Sequence, residues 1–96
     1  MKIRVDISMM PQVKAAVGKK TLEVDFEGRS ISDLIGHIVE RYGKKAAAAM
    51  FDEKGEVDPV IKVVLNGENF IVREQFAATT LKNGDEVKIM AFFAGG

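Results

Sequence analysis

The chain has 96 residues, with 14 basic and 14 acidic side chains and a formal net charge of zero. A single domain of this length can bury roughly 60 to 70 per cent of its unfolded surface without a metal or disulfide. The balanced charge argues against binding to nucleic acid or to an anionic membrane, and the absence of cysteine excludes disulfides, thiolate catalysis and thiolate metal sites.

The N-terminal third of the chain predicts two strands. Apolar and charged residues alternate from the start, which is typical of a half-buried strand and of neither a signal peptide nor a spanning helix, so we expect a cytoplasmic protein. A second alternating run follows a loop or short helix between Met10 and Gly18, and the two strands would form a hairpin. The apolar positions of the two strands are Ile3, Val5 and Ile7, then Leu22, Val24 and Phe26.

The middle of the chain predicts the main helix. Ser30 is placed to cap it, Asp33 can complete a capping box, and Gly43 suits a left-handed residue just past the end. The alanine-rich segment 44–51 predicts a second short helix, and the polar segment 52–59 predicts a loop. The apolar stripe of the main helix has helical spacing and consists of Ile31, Leu34, Ile35, Ile38, Val39 and Tyr42.

The C-terminal third predicts three further strands. A strand over 60–65 leads through Asn66-Gly67, the favoured pair for a type I′ turn, into a short strand over 70–72. A turn or single helical twist is expected over 76–80, followed by an Asn83-Gly84 turn and a last strand from Val87. We therefore predict an α+β fold of β-grasp order, with a mixed sheet of four or five strands on one main helix, over residues 1–91. Residues 92–96 would form a flexible tail.

The tail ends in Gly95-Gly96, a thin segment with wide backbone freedom that suits threading into a narrow tunnel. The carboxylate of Gly96 is ionised near neutral pH, so it can attack the α-phosphate of ATP and become an acyl adenylate that accepts sulfur or an amine. Chain ends are commonly only frayed. The rest of the chain argues against that simpler interpretation.

Several motifs in one order resemble the MoaD/ThiS family of ubiquitin-like sulfur carriers, most closely the small subunit of molybdopterin synthase. The resemblance covers nearly the whole chain. Beyond the first strand and the terminal diglycine, it is carried by Ala15 to Gly18, Ser30 to Leu34, Val64 to Gly67 and Leu81 to Val87.

The resemblance implies that an E1-like enzyme adenylates Gly96 at the expense of ATP, and that a donor such as a cysteine desulfurase or rhodanese converts it into a thiocarboxylate. Gly95 would give the tail its thin approach. In the molybdopterin branch the tail would enter a large synthase subunit that holds the catalytic residues, so the chain itself would be a carrier without a catalytic residue or bound cofactor. The run Ile89 to Phe92 lacks the prolines common in that branch. A thiamine or tRNA-thiolation carrier, a ubiquitin-like modifier and a simple adaptor therefore stay open.

Three residues next to the tail could form a partner-docking patch: Met90, Phe92 and Phe93. Alternatively, Phe92 or Phe93 could fold back to complete the core.

Other candidate sites are weaker. His37 falls opposite the apolar stripe and is expected to be solvated, and the 18–21 segment lacks the order of a phosphate-binding loop. The acidic residues of the 52–59 loop miss the spacing of a calcium loop, so no metal site is predicted. That loop is either an insertion or a contact for a partner.

Overall fold

A computed structural model describes residues 1–92 of the chain. A 3-10 helix over Arg73–Gln75 follows the fourth strand. The other elements are β1 (Lys2–Met9), α1 (Pro11–Val17), β2 (Thr21–Asp25), α2 (Ile31–Tyr42), α3 (Lys44–Met50), β3 (Ile61–Leu65), β4 (Asn69–Val72) and β5 (Glu86–Ala91).

The five strands form one mixed sheet in the order β2-β1-β5-β3-β4. The two inner neighbours β1 and β5 are parallel, whereas the pairs β1–β2, β3–β5 and β3–β4 are antiparallel. The predicted α+β class and mixed sheet are confirmed, and β5 is the central strand. The C-terminal end of the domain therefore leaves the middle of the sheet.

The core lies between one face of this sheet and the helices. The apolar positions predicted for β1 and β2 are all buried, as are four residues of the α2 stripe. Full burial of one such aliphatic side chain stabilises the fold by about 1.5 to 3 kcal/mol. The four buried residues of α2 are Ile31, Leu34, Ile35 and Ile38.

The predicted capping box at the start of α2 is confirmed. The backbone N–H of Asp33 donates to Ser30 Oγ at 3.1 Å, and the backbone N–H of Ser30 donates to Asp33 Oδ2 at 3.0 Å. The N–H of Arg29 donates to the same carboxylate oxygen at 2.9 Å. These backbone donors, first Arg29 and then Ser30, hold the pKa of Asp33 below its ordinary value, because each favours the ionised form.

Several local predictions need correction. Gly43 has a positive φ of 76° but a ψ of −150°, so it is not in the left-handed helical conformation; it instead links α2 to α3. For 76–80 the alternative of a turn holds, since residues 76–78 form one, and the helical twist lies just before it at Arg73–Gln75. His37 is half-buried rather than solvated, since its ring lies 5.7 Å from that of the buried Phe26.

The β3–β4 turn is attached to the start of β5. Asn66 and Gly67 have φ values of 54° and 69°, as the predicted type I′ turn requires. Asn66 Nδ2 donates to Asp85 Oδ1 at 3.0 Å, and the backbone N–H of Glu86 donates to Asn66 Oδ1 at 2.7 Å. The other carboxylate oxygen of the buried Asp85 accepts the backbone N–H of Lys82 at 2.8 Å. These contacts join the turn before β5 to the hairpin beside it.

Candidate functional site

The last described residue, Phe92, is still attached to the sheet. Its backbone N–H donates to the carbonyl oxygen of Val60 at 2.8 Å, one position beyond the last β3–β5 pair, Ile61 with Ala91. The predicted site residues Gly95 and Gly96 lie outside the described residues, as does Phe93. The four residues that follow Phe92 can span at most about 13 to 14 Å when fully extended.

Exposed apolar side chains lie on both sides of the central strand. Among residues 1–92, the large hydrophobic residues with high exposure are Met9 at 49%, Phe70 at 52% and Phe92 at 47%. Met9 ends β1 and pairs with Met90 of β5 after an irregularity in the parallel ladder. Phe70 belongs to the edge strand β4, on the other side. Exposed apolar surface is therefore concentrated around the strand that leads into the tail.

Phe70 and Phe92 contact each other through their rings. The ring centroids are 6.3 Å apart and the ring planes differ by 14°, an approximately parallel stack. Phe92 is 47% exposed, so the alternative that this residue folds back to complete the core does not hold. The exposed pair instead lies on the face of the sheet away from the helices, as the alternation of buried residues in β5 indicates.

Met90 contributes little to that exposed surface. It is only 7% exposed and lies outside the main hydrophobic cluster, on the same face of β5 as Phe92. The expectation that its side chain forms part of an open patch is therefore wrong for the chain by itself. The docking roles of Met90, Phe92 and Phe93 stay predictions.

The opposite half of this sheet face carries charge. Arg4 of β1 and Glu23 of β2 form an exposed ion pair at 3.7 Å. Asp6 accepts the backbone N–H of Ser8 at 2.8 Å and its hydroxyl at 2.7 Å. Partial burial raises the pKa of Asp6, but the two hydrogen bonds from Ser8 and the charge of Lys88 outweigh it, so the pKa lies below its ordinary value. On this face the exposed aromatic rings lie over β4 and the end of β5, Lys62 lies between them on β3, and charged side chains occupy β1 and β2.

An apolar cleft of about 220 Å³ lies beside Met9, on the other side of β5 from Phe70. It is formed where α1, α3 and the last residue of β5 meet. Its lining consists of Met9, Met10, Pro11, Gln12, Ala49 and Ala91.

Comparison with known proteins now identifies the family. The sequence model of the ThiS family matches residues 9–96. The chain belongs to the ThiS family. No curated protein gives a significant match.

Solved structures agree with this assignment. SAMP1 from Haloferax volcanii has a TM-score of 0.74 and 21% identity, covering 100% of both chains. A chain of the BexX/CysO complex from Amycolatopsis orientalis has a TM-score of 0.67 and 21% identity, covering 98% of this chain and 99% of that one. For SAMP1 of Methanosarcina acetivorans the TM-score is 0.67 and the identity 23%, over 99% and 96%. These similarities confirm the predicted ubiquitin-like β-grasp fold.

The described part of this ThiS-family chain does not assemble a metal site. No group of three potential His, Asp or Glu ligands lies close enough together within residues 1–92. In the 52–59 loop, Asp52 instead accepts the backbone N–H groups of Lys54 and Glu56 and lies 3.9 Å from Arg73. No helix in the same part of the chain has the length and apolar character needed to cross a membrane.

Sequence reasoning about this ThiS-family chain missed Met9 and Phe70. Phe70 could be recognised as an aromatic residue in a short predicted strand, and exposed apolar residues on an edge strand favour association with another chain. The contact of Phe70 with Phe92 could not be predicted, because the order of the strands brings together two residues that are far apart in the sequence.

Proposed function

We propose that this chain is a sulfur carrier in which the C-terminal carboxylate of Gly96 is adenylated and then converted into a thiocarboxylate, two steps that we call charging. The observation that carries the proposal is a diglycine end on a ThiS-family β-grasp domain, four residues beyond a central strand flanked by exposed apolar side chains. The central strand brings the chain to Phe92 at one end of the sheet, and the exposed apolar residues beside it offer a surface for an activating partner.

The proposed chemistry has two steps. A carboxylate oxygen of Gly96 attacks the α-phosphorus of ATP in an E1-like enzyme, and pyrophosphate leaves. A persulfide from a cysteine desulfurase or a rhodanese then attacks the acyl carbon, AMP leaves, and a thiol reductant cleaves the sulfur–sulfur bond to give the thiocarboxylate. This chain supplies the carboxylate and its thin approach through Gly95, while the partners supply ATP binding and catalysis. It therefore acts as a carrier in the cytoplasm and not as an enzyme.

Within this function we favour molybdopterin synthesis, in which the charged tail would enter a large synthase subunit. The support for that branch is the order of sequence motifs described above. Thiamine synthesis and tRNA thiolation make similar demands on the tail, since specificity resides in the partners. Mixing the thiocarboxylated chain with a large molybdopterin-synthase subunit and a pterin precursor tests the branch directly. Formation of the dithiolene product is expected, and its absence with an active large subunit would contradict the molybdopterin assignment.

A second candidate is a ubiquitin-like modifier, in which a lysine amine attacks the acyl carbon of the adenylate, AMP leaves, and an isopeptide bond forms. This second candidate is favoured by the similarity to small archaeal modifier protein 1 of Methanosarcina acetivorans. The structural similarity itself supports the fold only.

The deciding experiment measures the intact mass of the chain after incubation with an E1-like enzyme, ATP and a sulfur donor. Replacement of one oxygen by sulfur supports the carrier, whereas covalent ladders on other proteins support the modifier. An unchanged mass under conditions that charge a known carrier would contradict both.

Deletion of Gly96 provides the matched control. The shortened chain still ends in a glycine carboxylate, at Gly95, but its reach is shorter by about 3.3 to 3.6 Å. We expect unchanged folding, because the deleted residue lies beyond the last strand. Charging should be lost. If the deletion variant were charged as efficiently as the full chain, the position of the terminal carboxylate would not matter for charging.

A further inference from the structure

The contact between Phe70 and Phe92 spans three strands. Phe70 pairs with Val64 of β3, Val64 pairs with Lys88 of β5, and Phe92 lies four residues after Lys88. In a flat sheet, two strand spacings of about 4.8 Å and four residues of about 3.3 Å would place the two Cα atoms roughly 16 Å apart. The observed separation of the ring centroids is only 6.3 Å.

The contact therefore requires both the twist of the sheet, which shortens this diagonal, and side chains that lean toward each other across β3. Strand side chains ordinarily stand roughly perpendicular to the sheet, so this arrangement is not what strand geometry alone produces. The diagonal between the two residues passes over Lys62, which lies on the same face in the row between them. Lys62 Nζ is directed to the carbonyl oxygen of Pro59 at 2.7 Å, which places its charge at the start of β3.

Phe92 is thus restrained twice after the last strand has ended. Its backbone N–H is bonded to Val60, and its ring is stacked on Phe70 of the edge strand. One restraint uses the backbone and the other uses the side chain of the same residue, so loss of the ring contact should weaken the backbone contact as well.

We propose that Phe70 is a positioning residue that holds Phe92 on the sheet, so that the reactive tail starts from a defined point. The consequence for charging rests on the proposed function, whereas the restraint of Phe92 by Phe70 does not. In this proposal the phenyl ring of Phe70 does not take part in the reaction and acts only through Phe92.

The expected size of the effect follows from the contact. Loss of an aromatic pair makes opening of the restrained segment about two- to tenfold more frequent. For comparison, lengthening a flexible linker from four to five residues dilutes its end only about 1.4-fold, from the −3/2 power of length. An effect on charging larger than this reports the ordering of Phe92 and not a change in linker length.

The first measurement uses the chain alone, with amide hydrogen exchange at Phe92 as the readout. In Phe70→Ala we expect exchange at Phe92 to be about two- to tenfold faster, with exchange at Ile89 in the middle of β5 unchanged. Phe70→Tyr keeps the ring and should behave like the wild type. Asn69→Ala is the matched control, since it changes an exposed neighbour on the same strand. Unchanged exchange at Phe92 in Phe70→Ala would overturn the proposal.

The second measurement uses the activating enzyme and ATP. We expect Phe70→Ala to raise KM for the carrier about two- to tenfold while kcat stays close to the wild-type value, with recovery in Phe70→Tyr. Met9→Ala removes a similarly exposed apolar side chain and should leave exchange at Phe92 unchanged. A KM effect of Phe70→Ala without faster exchange at Phe92 would assign Phe70 to docking and overturn its positioning role.

The two proposals fail in distinguishable ways. A wild-type chain that is not charged by an active E1-like enzyme contradicts the proposed function, and the role of Phe70 in charging falls with it. A charged wild-type chain with equal KM for Phe70→Ala overturns the positioning role alone.

Discussion

Replacement of Asp85 by alanine tests the contacts that join the β3–β4 turn to β5. Asp85 is 6% exposed, and its carboxylate accepts hydrogen bonds from Asn66 Nδ2 and from the backbone N–H of Lys82. A hydrogen bond to a charged group contributes about 1.5 to 3 kcal/mol. Both donors belong to exposed residues and would bind water in the variant. We therefore expect the free energy of unfolding to fall by about 2 to 3 kcal/mol, less than the sum for two such hydrogen bonds.

Urea unfolding followed by far-UV circular dichroism measures this loss, because the chain has no tryptophan to report by fluorescence. For a domain of this size, 1 kcal/mol corresponds to about 4 to 8 °C, so Tm should fall by roughly 8 to 24 °C. Glu68→Ala, an exposed carboxylate in the same turn, is the control and should change the free energy of unfolding by less than about 0.5 kcal/mol.

A double-mutant cycle isolates the contact itself. Asn66→Gly removes the amide without straining the backbone, since Asn66 has a φ of 54°. We expect Asp85→Ala and Asn66→Gly to couple by about 0.5 to 1.5 kcal/mol. A loss below about 0.5 kcal/mol for Asp85→Ala, or additivity in the cycle, would refute the reasoning.

Three further predictions concern the segment around the start of α2. A Cβ at Gly28 would lie 2.5 Å from Cε2 of the buried Phe26 ring, so Gly28→Ala should destabilise the fold by about 1 to 3 kcal/mol; Gly36→Ala has open space within the helix and should stabilise it by about 1 kcal/mol. Effects of the same sign in urea unfolding would contradict this pair. Loss of the cap in Ser30→Ala should cost about 0.5 to 2 kcal/mol, and an unchanged midpoint would count against the cap. Because the folded pKa of Asp33 is lowered, its stabilising contribution is present above the ordinary value of 3.8 and is lost as pH falls through the folded pKa. The stability difference between the wild type and Asp33→Asn should therefore shrink on acidification, and a constant difference would argue against the hydrogen bonds to this carboxylate.

Elements with a strong local signal could be predicted from the sequence. The stripe of α2 and its capping box agree with the structure because side-chain spacing and the Ser30–Asp33 pair act within a few residues. Elements whose geometry depends on their neighbours were less predictable. Gly43 follows the end of α2 as predicted, but its ψ of −150° leads directly into α3. The helical twist lies at Arg73–Gln75, just before the turn at 76–78.

The candidate site divides in the same way. The proposed reactive end, Gly95-Gly96, and the resemblance to the sulfur carriers could be recognised from the order of residues alone. The match of residues 9–96 to the ThiS family confirms the resemblance. The burial of Met90 and the half-buried position of His37 required the packed structure. Each depends on which residues from distant parts of the chain lie beside it.

By itself, the sequence determined the β-grasp class, the main helix and the diglycine end, because hydrophobic periodicity, capping and backbone freedom are local properties. Only the tertiary structure decided that β5 is central and that Phe92 stacks on Phe70. Strand order and register bring together residues that are 22 positions apart, and this pairing is set by the packing of the whole sheet on its helices.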